Sequence, residues 1–438
     1  DLDGSSSSHL SEVQSSLDWL CLSSHATSLW NSLKCTPLCM TVSSMLFSLD
    51  TLSLIALLIV TCVYLLHAIS HFYGRYKLHH PVKRSKSSTG VSILKPLVGT
   101  DPNLETNLRS FFALDYLTYE LLFCVQDSTD ECIPLVRQLM AQYPHIDSSL
   151  FIGGEEVGLN PKINNMMPGY RASKHPLVLI SDSGIFMRPD AITDMVNAMK
   201  DEVALVTQIP FCRDRSSFGS QLEQIYFGTS HARIYLAGNF LGAVCSTGMS
   251  SMMRKQALEE VGGMGSFGAY LAEDFFFGLA LTRKGWKCGL SSLPALQNSG
   301  NVTSETFDAR VQRWVRLRFA MLPYIIVLEP LQDWVSTLLM VSLSISHLFA
   351  VHPLLVAVIH SCLWFTSDYM LFSTLHNGPP SFSLFSFFLT WLRRELTMPI
   401  SYIKALVNSE ICWRNGKYRL EWGGRIKKMP KEKQTLNS

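Results

Sequence analysis

Thr51–Phe72 (TLSLIALLIVTCVYLLHAISHF) contains no Lys, Arg, Asp or Glu. A bilayer core takes about 20 apolar residues in a helix, so this run is long enough to cross one. A buried core helix normally keeps a polar stripe, and this run has none. Arg75, Lys77, Lys83, Arg84 and Lys86 follow it, whereas Lys34 is the single basic residue before it. Positive charge stays on the cytosolic side, which places the N-terminus in the lumen and the following residues in the cytosol. Composition agrees: 47% of the 438 residues are hydrophobic and only 16% charged, too apolar for a purely soluble enzyme. A net charge of +2 gives no argument for nucleic acid.

Trp334–Phe372 is a second apolar region, without a Lys or Arg. It divides at His352-Pro353 into two runs near span length and reads as a helical hairpin. Arg310, Arg313, Arg316 and Arg318 precede it, and Arg393, Arg394 and a basic tail follow, so both flanks are expected in the cytosol. Phe382–Val407 is apolar too, but Arg393-Arg394-Glu395 and Pro399 interrupt it. Charges in mid-span are costly, so interfacial or re-entrant helices are expected there. The resulting division is 1–48 lumenal leader, poorly ordered; 49–74 transmembrane anchor; 75–328 cytosolic catalytic domain; 329–374 transmembrane hairpin; 375–410 interfacial or re-entrant helices; 411–438 basic cytosolic tail. The leader is Ser-rich and does not begin with Met, so the true start of the chain is open. Eleven scattered cysteines show neither a CxxC motif nor regular spacing, which argues against a disulfide framework or a zinc site.

In the soluble middle, strand-like runs (Val91–Leu94, Leu121–Val125, Leu177–Ile180, Val203–Val206) alternate with helix-compatible stretches such as Cys132–Tyr143 and Ala191–Lys200. That alternation predicts an α/β, Rossmann-like domain with a mainly parallel sheet. Two acidic sites follow such runs, and open α/β sheets bind ligands beyond the carboxyl ends of their strands. Asp127 and Asp130 lie in one, where carboxylates suit a nucleoside's uracil and ribose, although Asp and Ser are also ordinary turn formers. Asp182, in Leu-Ile-Ser-Asp-Ser-Gly, is the other; a carboxylate there suits Mg²⁺ or Mn²⁺ shared with a diphosphate. The second carboxylate of an Asp-x-Asp pair is missing, since position 184 is Gly.

Lys162, Asn164 and Asn165 are candidates to hold a pyrophosphate, or simply a solvated loop. Glu273-Asp274 follows a glycine-bearing approach and starts an aromatic run; Asp274 is placed to take a hydroxyl proton, or to favour a helix N-terminus. Arg310 and Arg313 share one helical face, with Trp314 beside them. Guanidiniums suit phosphate oxygens, and the same cluster also serves the positive-inside rule. His231 is a candidate acceptor-side residue, or a structural histidine.

The order Asp130, Asp182, Asp274, Arg310-x-x-Arg313-Trp314 is similar to the three-aspartate, (Q/R)xxRW signature of inverting GT-A glycosyltransferases. Asn160–Tyr170 (NPKINNMMPGY), Leu222–His231 (LEQIYFGTSH), Ala272–Phe276 (AEDFF) and Lys417–Leu420 (KYRL) resemble the ceramide glucosyltransferase family, from about Ser53 to Gly424. That resemblance implies a GT-A domain embedded between transmembrane helices. It implies transfer of glucose from UDP-glucose to the primary hydroxyl of ceramide, with inversion, on the cytosolic face of the Golgi.

By the same resemblance, Asp127, Asp130, Lys162, Asn165, Asp182, Arg310, Arg313 and Trp314 bind the nucleotide sugar, and Asp182 serves a divalent cation. Asp274 is the proton acceptor, and His231, Cys245 and Glu273 lie in the acceptor region. The expected partners are UDP-glucose, ceramide and the lipid bilayer, with no nucleic acid; homo-oligomerisation stays open. The Asn301-Val302-Thr303 sequon faces the cytosol and is expected to stay unglycosylated. A processive polysaccharide synthase shares the motifs but needs a polymer channel, typically from more spans than these. A non-catalytic membrane scaffold is the other competing class.

Overall fold

The computed structural model describes residues 48–82, 89–300, 302–413 and 416–429. Lys83, Arg84 and Lys86, the leader before Ser48, Asn301 of the sequon and the chain from 430 onward lie outside the described residues. The charge-free run becomes α1 (Leu49–Lys77), started by Ser48, whose hydroxyl accepts from Thr51 N–H at 3.1 Å.

The α/β unit follows as β1 (Val91–Leu97), α2 (Leu104–Phe112), β2 (Tyr119–Val125), α3 (Cys132–Gln142), β3 (Ser148–Ile152), α4 (Pro161–Ala172) and β4 (Leu177–Ser181). Next come β5 (Ile185–Phe186), α5 (Ala191–Ala198), β6 (Val203–Thr207), β7 (Pro210–Cys212), α6 (Phe218–Gly228), α7 (Ser230–Phe240), β8 (Ser250–Arg254) and α8 (Lys255–Glu260). α9 (Glu273–Arg283), β9 (Lys287–Leu290), β10 (Ala295–Gln297) and α10 (Ser304–Met321) complete it.

The central sheet runs β3-β2-β1-β4-β8-β6-β9. β8 alone is antiparallel to its neighbours; the other pairings are parallel. Each expected apolar run lies within a strand, and the sheet is the mixed α/β, mainly parallel one that the alternation predicted. Strands buried on both faces read as continuous apolar runs, and β1, β2, β4 and β6 are buried throughout. Successive residues supply opposite faces. Ile93 and Leu121 join one core with Phe111 and Val136, while Leu94 and Leu122 join another with Ile163 and Phe277. The acidic loops therefore sit at the carboxyl edge of a sheet clamped from both sides.

The remaining helices are α11 (Ile325–Leu331), α12 (Trp334–Phe349), α13 (Pro353–His376) and α14 (Leu384–Val407). α1 and α13 are long and apolar enough to cross a membrane, and α11 with α12 adds a third candidate bent by 67°. The hairpin turns at Ala350, which adopts a left-handed φ of 53°, before Pro353 opens α13. Phe382–Val407 is a single helix carried through Pro399, not the broken run its charges suggested. Those charges are neutralised inside the protein: Arg393 pairs with Asp308 at 2.7 Å, and Arg394 with Glu395. The residues expected to form a basic tail instead fold, where described, into a three-stranded sheet: β11 (Glu410–Trp413), β12 (Gly416–Leu420) and β13 (Ile426–Lys428).

A buried ion pair ties helices α13 and α14 to the α/β unit. Arg233 of α7 meets Asp368 of α13 at 3.2 Å, and Trp391 Nε1 of α14 donates to the other Asp368 oxygen at 2.9 Å. Removing one partner of a buried pair strands the other in a low-dielectric site. Asp368→Leu is therefore expected to cost about 3–5 kcal/mol, read as a lowered thermal unfolding midpoint in detergent; an unchanged midpoint contradicts this docking.

Candidate active site

Lys162 lies in the first turn of α4. Asn160 caps that helix, its side-chain oxygen accepting from Lys162 N–H at 2.8 Å and Ile163 N–H at 3.3 Å, and Pro161 fills the first helical position, where a missing N–H costs nothing. The cap aims the Lys162 side chain into the gap between β4 and α9. There its ammonium meets Asp182 Oδ1 at 2.8 Å and Glu273 Oε1 at 3.0 Å, and donates to Gly248 O at 3.1 Å. Burial works to lower its pKa, but Asp182 and Glu273 outweigh burial and hold it well above the usual lysine range. It is a fixed cation. A Cβ on Gly248 would lie 2.8 Å from Lys162 Nζ, so a side chain there would displace the ammonium.

Asp274 accepts from Gly248 N–H at 2.6 Å and from Phe275 N–H at 2.8 Å. Its place in the first turn of α9 suits the helix dipole. Burial, then the neighbouring Glu273, push its carboxyl up to about 6, against the pull of Lys162. A carboxylate titrating there is ionised at neutral pH yet basic enough to take a proton. Beneath Asp182, Lys95 of β1 is fully buried, donates to Asp182 O at 2.7 Å and lies 3.9 Å over the Phe111 ring. Burial pushes Lys95 down to about 7.

The capping box at Thr303 and Thr306 starts α10, which carries the guanidiniums. Arg310 is bound to Glu223 of α6 at 2.5 Å and stands over Trp314 at 5.0 Å. Arg313 makes no salt bridge among the described residues; burial, then Arg310, hold it below the usual arginine range. It is the guanidinium left to meet a ligand.

Lys162, Asp182, Glu273, Asp274, Arg310, Arg313, Trp314, His231 and Cys245 line one cavity of about 710 Å³. Its far wall is made by Glu329, Asp333, Arg394 and Tyr402, beside the apolar helices. His231 stacks on Tyr235 with centroids 5.5 Å apart, and burial, then Arg318, push it down to about 3, so the ring is neutral. Burial, then Cys288, push the Cys245 thiol up to about 12, so it is protonated and a poor nucleophile.

Three expected residues lie outside that lining. Asp130 accepts from Gly99 N–H and Cys132 N–H, each at 2.9 Å, and pins the β1 exit to the β2 exit. Asp127 is exposed and accepts from Thr129. Asn165 is buried, its amide donating to Leu97 O at 3.3 Å and Cys124 O at 3.0 Å. No group of three or more His, Cys, Asp or Glu side chains converges on a metal-sized point among the described residues. Lys95, Glu223 and the ion pairs of Arg318–Glu329 and Arg394–Glu395 were not foreseen. A lysine inside an apolar strand run was the one available signal; the others depend on partners distant in sequence or buried in an apolar stretch.

The sequence matches the profile described as Glycosyl transferase family 21 over residues 62–426. It is 52% identical over 383 residues to Ceramide glucosyltransferase 3 of Caenorhabditis elegans, covering 86% of this chain and 83% of that protein. Ceramide glucosyltransferase 1 of the same organism is 50% identical over 384 residues, covering 86% and 82%. Ceramide glucosyltransferase of Komagataella phaffii is 26% identical over 443 residues, covering 80% and 87%. Among solved structures, the mannosyltransferase PcManGT from Pyrobaculum calidifontis, in complex with GDP-Man and Mn²⁺, matches with a TM-score of 0.47 at 15% identity, over 74% of this chain and 98% of that one.

Lys162→Met leaves Glu273 buried without its counter-charge, expected to cost about 3–5 kcal/mol; Asp182, partly exposed, adds little because water screens it. Losing Lys162 also raises the folded-state pKa of Asp274 further. A raised carboxylate pKa makes the folded state hold its proton more tightly than the unfolded chain, so ionisation opposes folding above that pKa. The variant's deficit in unfolding midpoint should be largest at alkaline pH and shrink as pH falls through the variant's raised Asp274 pKa toward about 6, the wild-type value. A deficit that grows on acidification contradicts the assignment.

Proposed function

The chain belongs to glycosyl transferase family 21, and on that footing we propose that it transfers glucose from UDP-glucose to the primary hydroxyl of ceramide, with inversion, at the cytosolic face of the Golgi membrane. One observation carries this reading. The Asp274 carboxylate, the Lys162 hub and Arg313, without a salt bridge among the described residues, share a cavity that continues to the apolar helices, in a chain half identical to proteins named ceramide glucosyltransferases.

Asp274 takes the proton of the acceptor hydroxyl as that oxygen attacks the anomeric carbon. The new carbon–oxygen bond forms on the face opposite the breaking bond to the diphosphate, which gives inversion. Lys162 holds Asp182 and Glu273 in place, and Arg313 faces the negative charge of the departing UDP. Arg310 braces this helix through Glu223. Asp127 and Asp130, on the loop after β2, are assigned to the nucleoside, and Asn165 fixes the strand ends beneath it.

The donor set also fits a divalent cation. Asp182 is a partly exposed carboxylate at a strand end, and Mg²⁺ or Mn²⁺ is commonly held by one or two carboxylates together with substrate phosphates. A cation bound there would neutralise diphosphate charge. The acceptor enters from the side lined by Trp314, His231 and Cys245, next to the helices that contact lipid.

Full-length enzyme in detergent, given NBD-ceramide and a panel of UDP-sugars, should yield an organic-phase glucosyl product from UDP-glucose. A water-soluble polymer, or preference for another sugar, contradicts the reading. Asp274→Asn should lower kcat by about 10²–10⁴-fold while UDP binding stays near wild type. Because the base must be ionised, kcat should be full above pH of about 7 and fall as pH drops through about 6; a profile flat across that range removes Asp274 from the role.

A further inference from the structure

The C-terminal sheet buries one apolar face against two particular elements. Ile411, Tyr418, Leu420 and Ile426 pack on Leu271 and Ala272, the residues immediately before Glu273, and on Leu317 of α10. Backbone bonds repeat both contacts. Ile426 N–H donates to Ala269 O at 3.1 Å, and Gly423 N–H donates to Ala320 O at 2.9 Å. Arg316 of α10 donates to Glu410 O at 2.9 Å.

On the α9 side, Arg425 bridges Tyr270 in antiparallel fashion, and the neighbouring tyrosine holds its guanidinium above the usual arginine range. Tyr270 stacks on Phe276 with centroids 3.9 Å apart. These two rings bracket Glu273-Asp274 in sequence, so whatever grips them grips the proposed base. The β12–β13 turn closes on them. Gly424 has φ +81°, and a Cβ there would lie 2.7 Å from the Phe276 ring and 2.9 Å from Met321 of α10. One glycine therefore touches both the helix carrying Asp274 and the helix carrying Arg313.

We infer that β11–β13 are a positioning clamp for the transfer reaction, holding the start of α9 against α10 so that Asp274 and Arg313 face one cavity at a fixed spacing. This rests on the function proposed above and assigns Gly424 and Arg425 as positioning residues. They reach the chemistry only through Tyr270, Phe276 and α10. A displacement of reacting groups by about 1 Å costs on the order of 10²-fold in rate, so a small loosening is measurable.

The test uses the full chain in detergent with NBD-ceramide and UDP-glucose. Gly424→Ala should lower kcat about 10–100-fold with KM for UDP-glucose near wild type, and the strained positive φ should lower the unfolding midpoint only modestly. Arg425→Ala removes the Tyr270 link without adding bulk and should act in the same direction, with Arg425→Lys restoring most of the rate. Hydrogen exchange should rise in both 264–276 and 304–321 in the impaired variants. Unchanged kcat, or a rate loss matched by a fallen midpoint without selective exchange in those segments, overturns the clamp. Exchange needs no acceptor. A wild-type chain that fails to glucosylate ceramide sinks the functional reading, and unchanged exchange in both segments then sinks the clamp independently.

Discussion

A single ammonium organises the catalytic half of this protein. Lys162 joins a strand-end loop through Asp182, a helix start through Glu273 and a backbone turn through Gly248. None of these elements is adjacent in sequence, and without the lysine the buried Glu273 would lose its counter-charge. Buried charges persist only when paired and hydrogen-bonded, so the position of Lys162 dictates where the carboxylates stand. Asp274 escapes direct pairing with that ammonium and is held instead by backbone N–H groups. That difference leaves each Asp274 oxygen with one backbone donor and no bound cation, beside a Glu273 carboxylate that the ammonium holds.

The apolar helices follow the same logic at larger scale. α13 and α14 do not merely flank the sheet; Asp368 and Trp391 close on Arg233, and Arg394 pairs with Glu395 while approaching Asp333 at 3.9 Å. Charges inside these apolar helices are thus neutralised within the protein. Arg233, Asp333 and Arg394 of this network also line the cavity, so the contacts that dock the helices also shape its wall.

Much of this was legible in the sequence because the signals were local. Apolar strand runs and the charge-free Thr51–Phe72 are set by neighbours within a few residues. Asp182, Glu273 and Asp274 were found by the same means. Pairings across the chain were not legible: Arg310 looked free to bind phosphate, yet it is taken by Glu223, 87 residues away. Arg393-Arg394-Glu395 looked like a break because their partners, Asp308 and Asp333, come from other helices. Residues 411–438 looked like a basic tail. Their strand pattern was too short to weigh until Leu271 and α10 supplied the surface that Ile411 and Ile426 cover.

The central claim is that Asp274 takes the proton from a lipid hydroxyl. Its most direct test is a cryo-electron-microscopy structure of the full chain in a lipid nanodisc with UDP and ceramide bound. The account requires the ceramide primary hydroxyl within about 2.6–3.2 Å of an Asp274 carboxylate oxygen, with UDP on the Arg313 side of the same cavity. A hydroxyl held by any other group, or a ceramide bound outside that cavity, contradicts it.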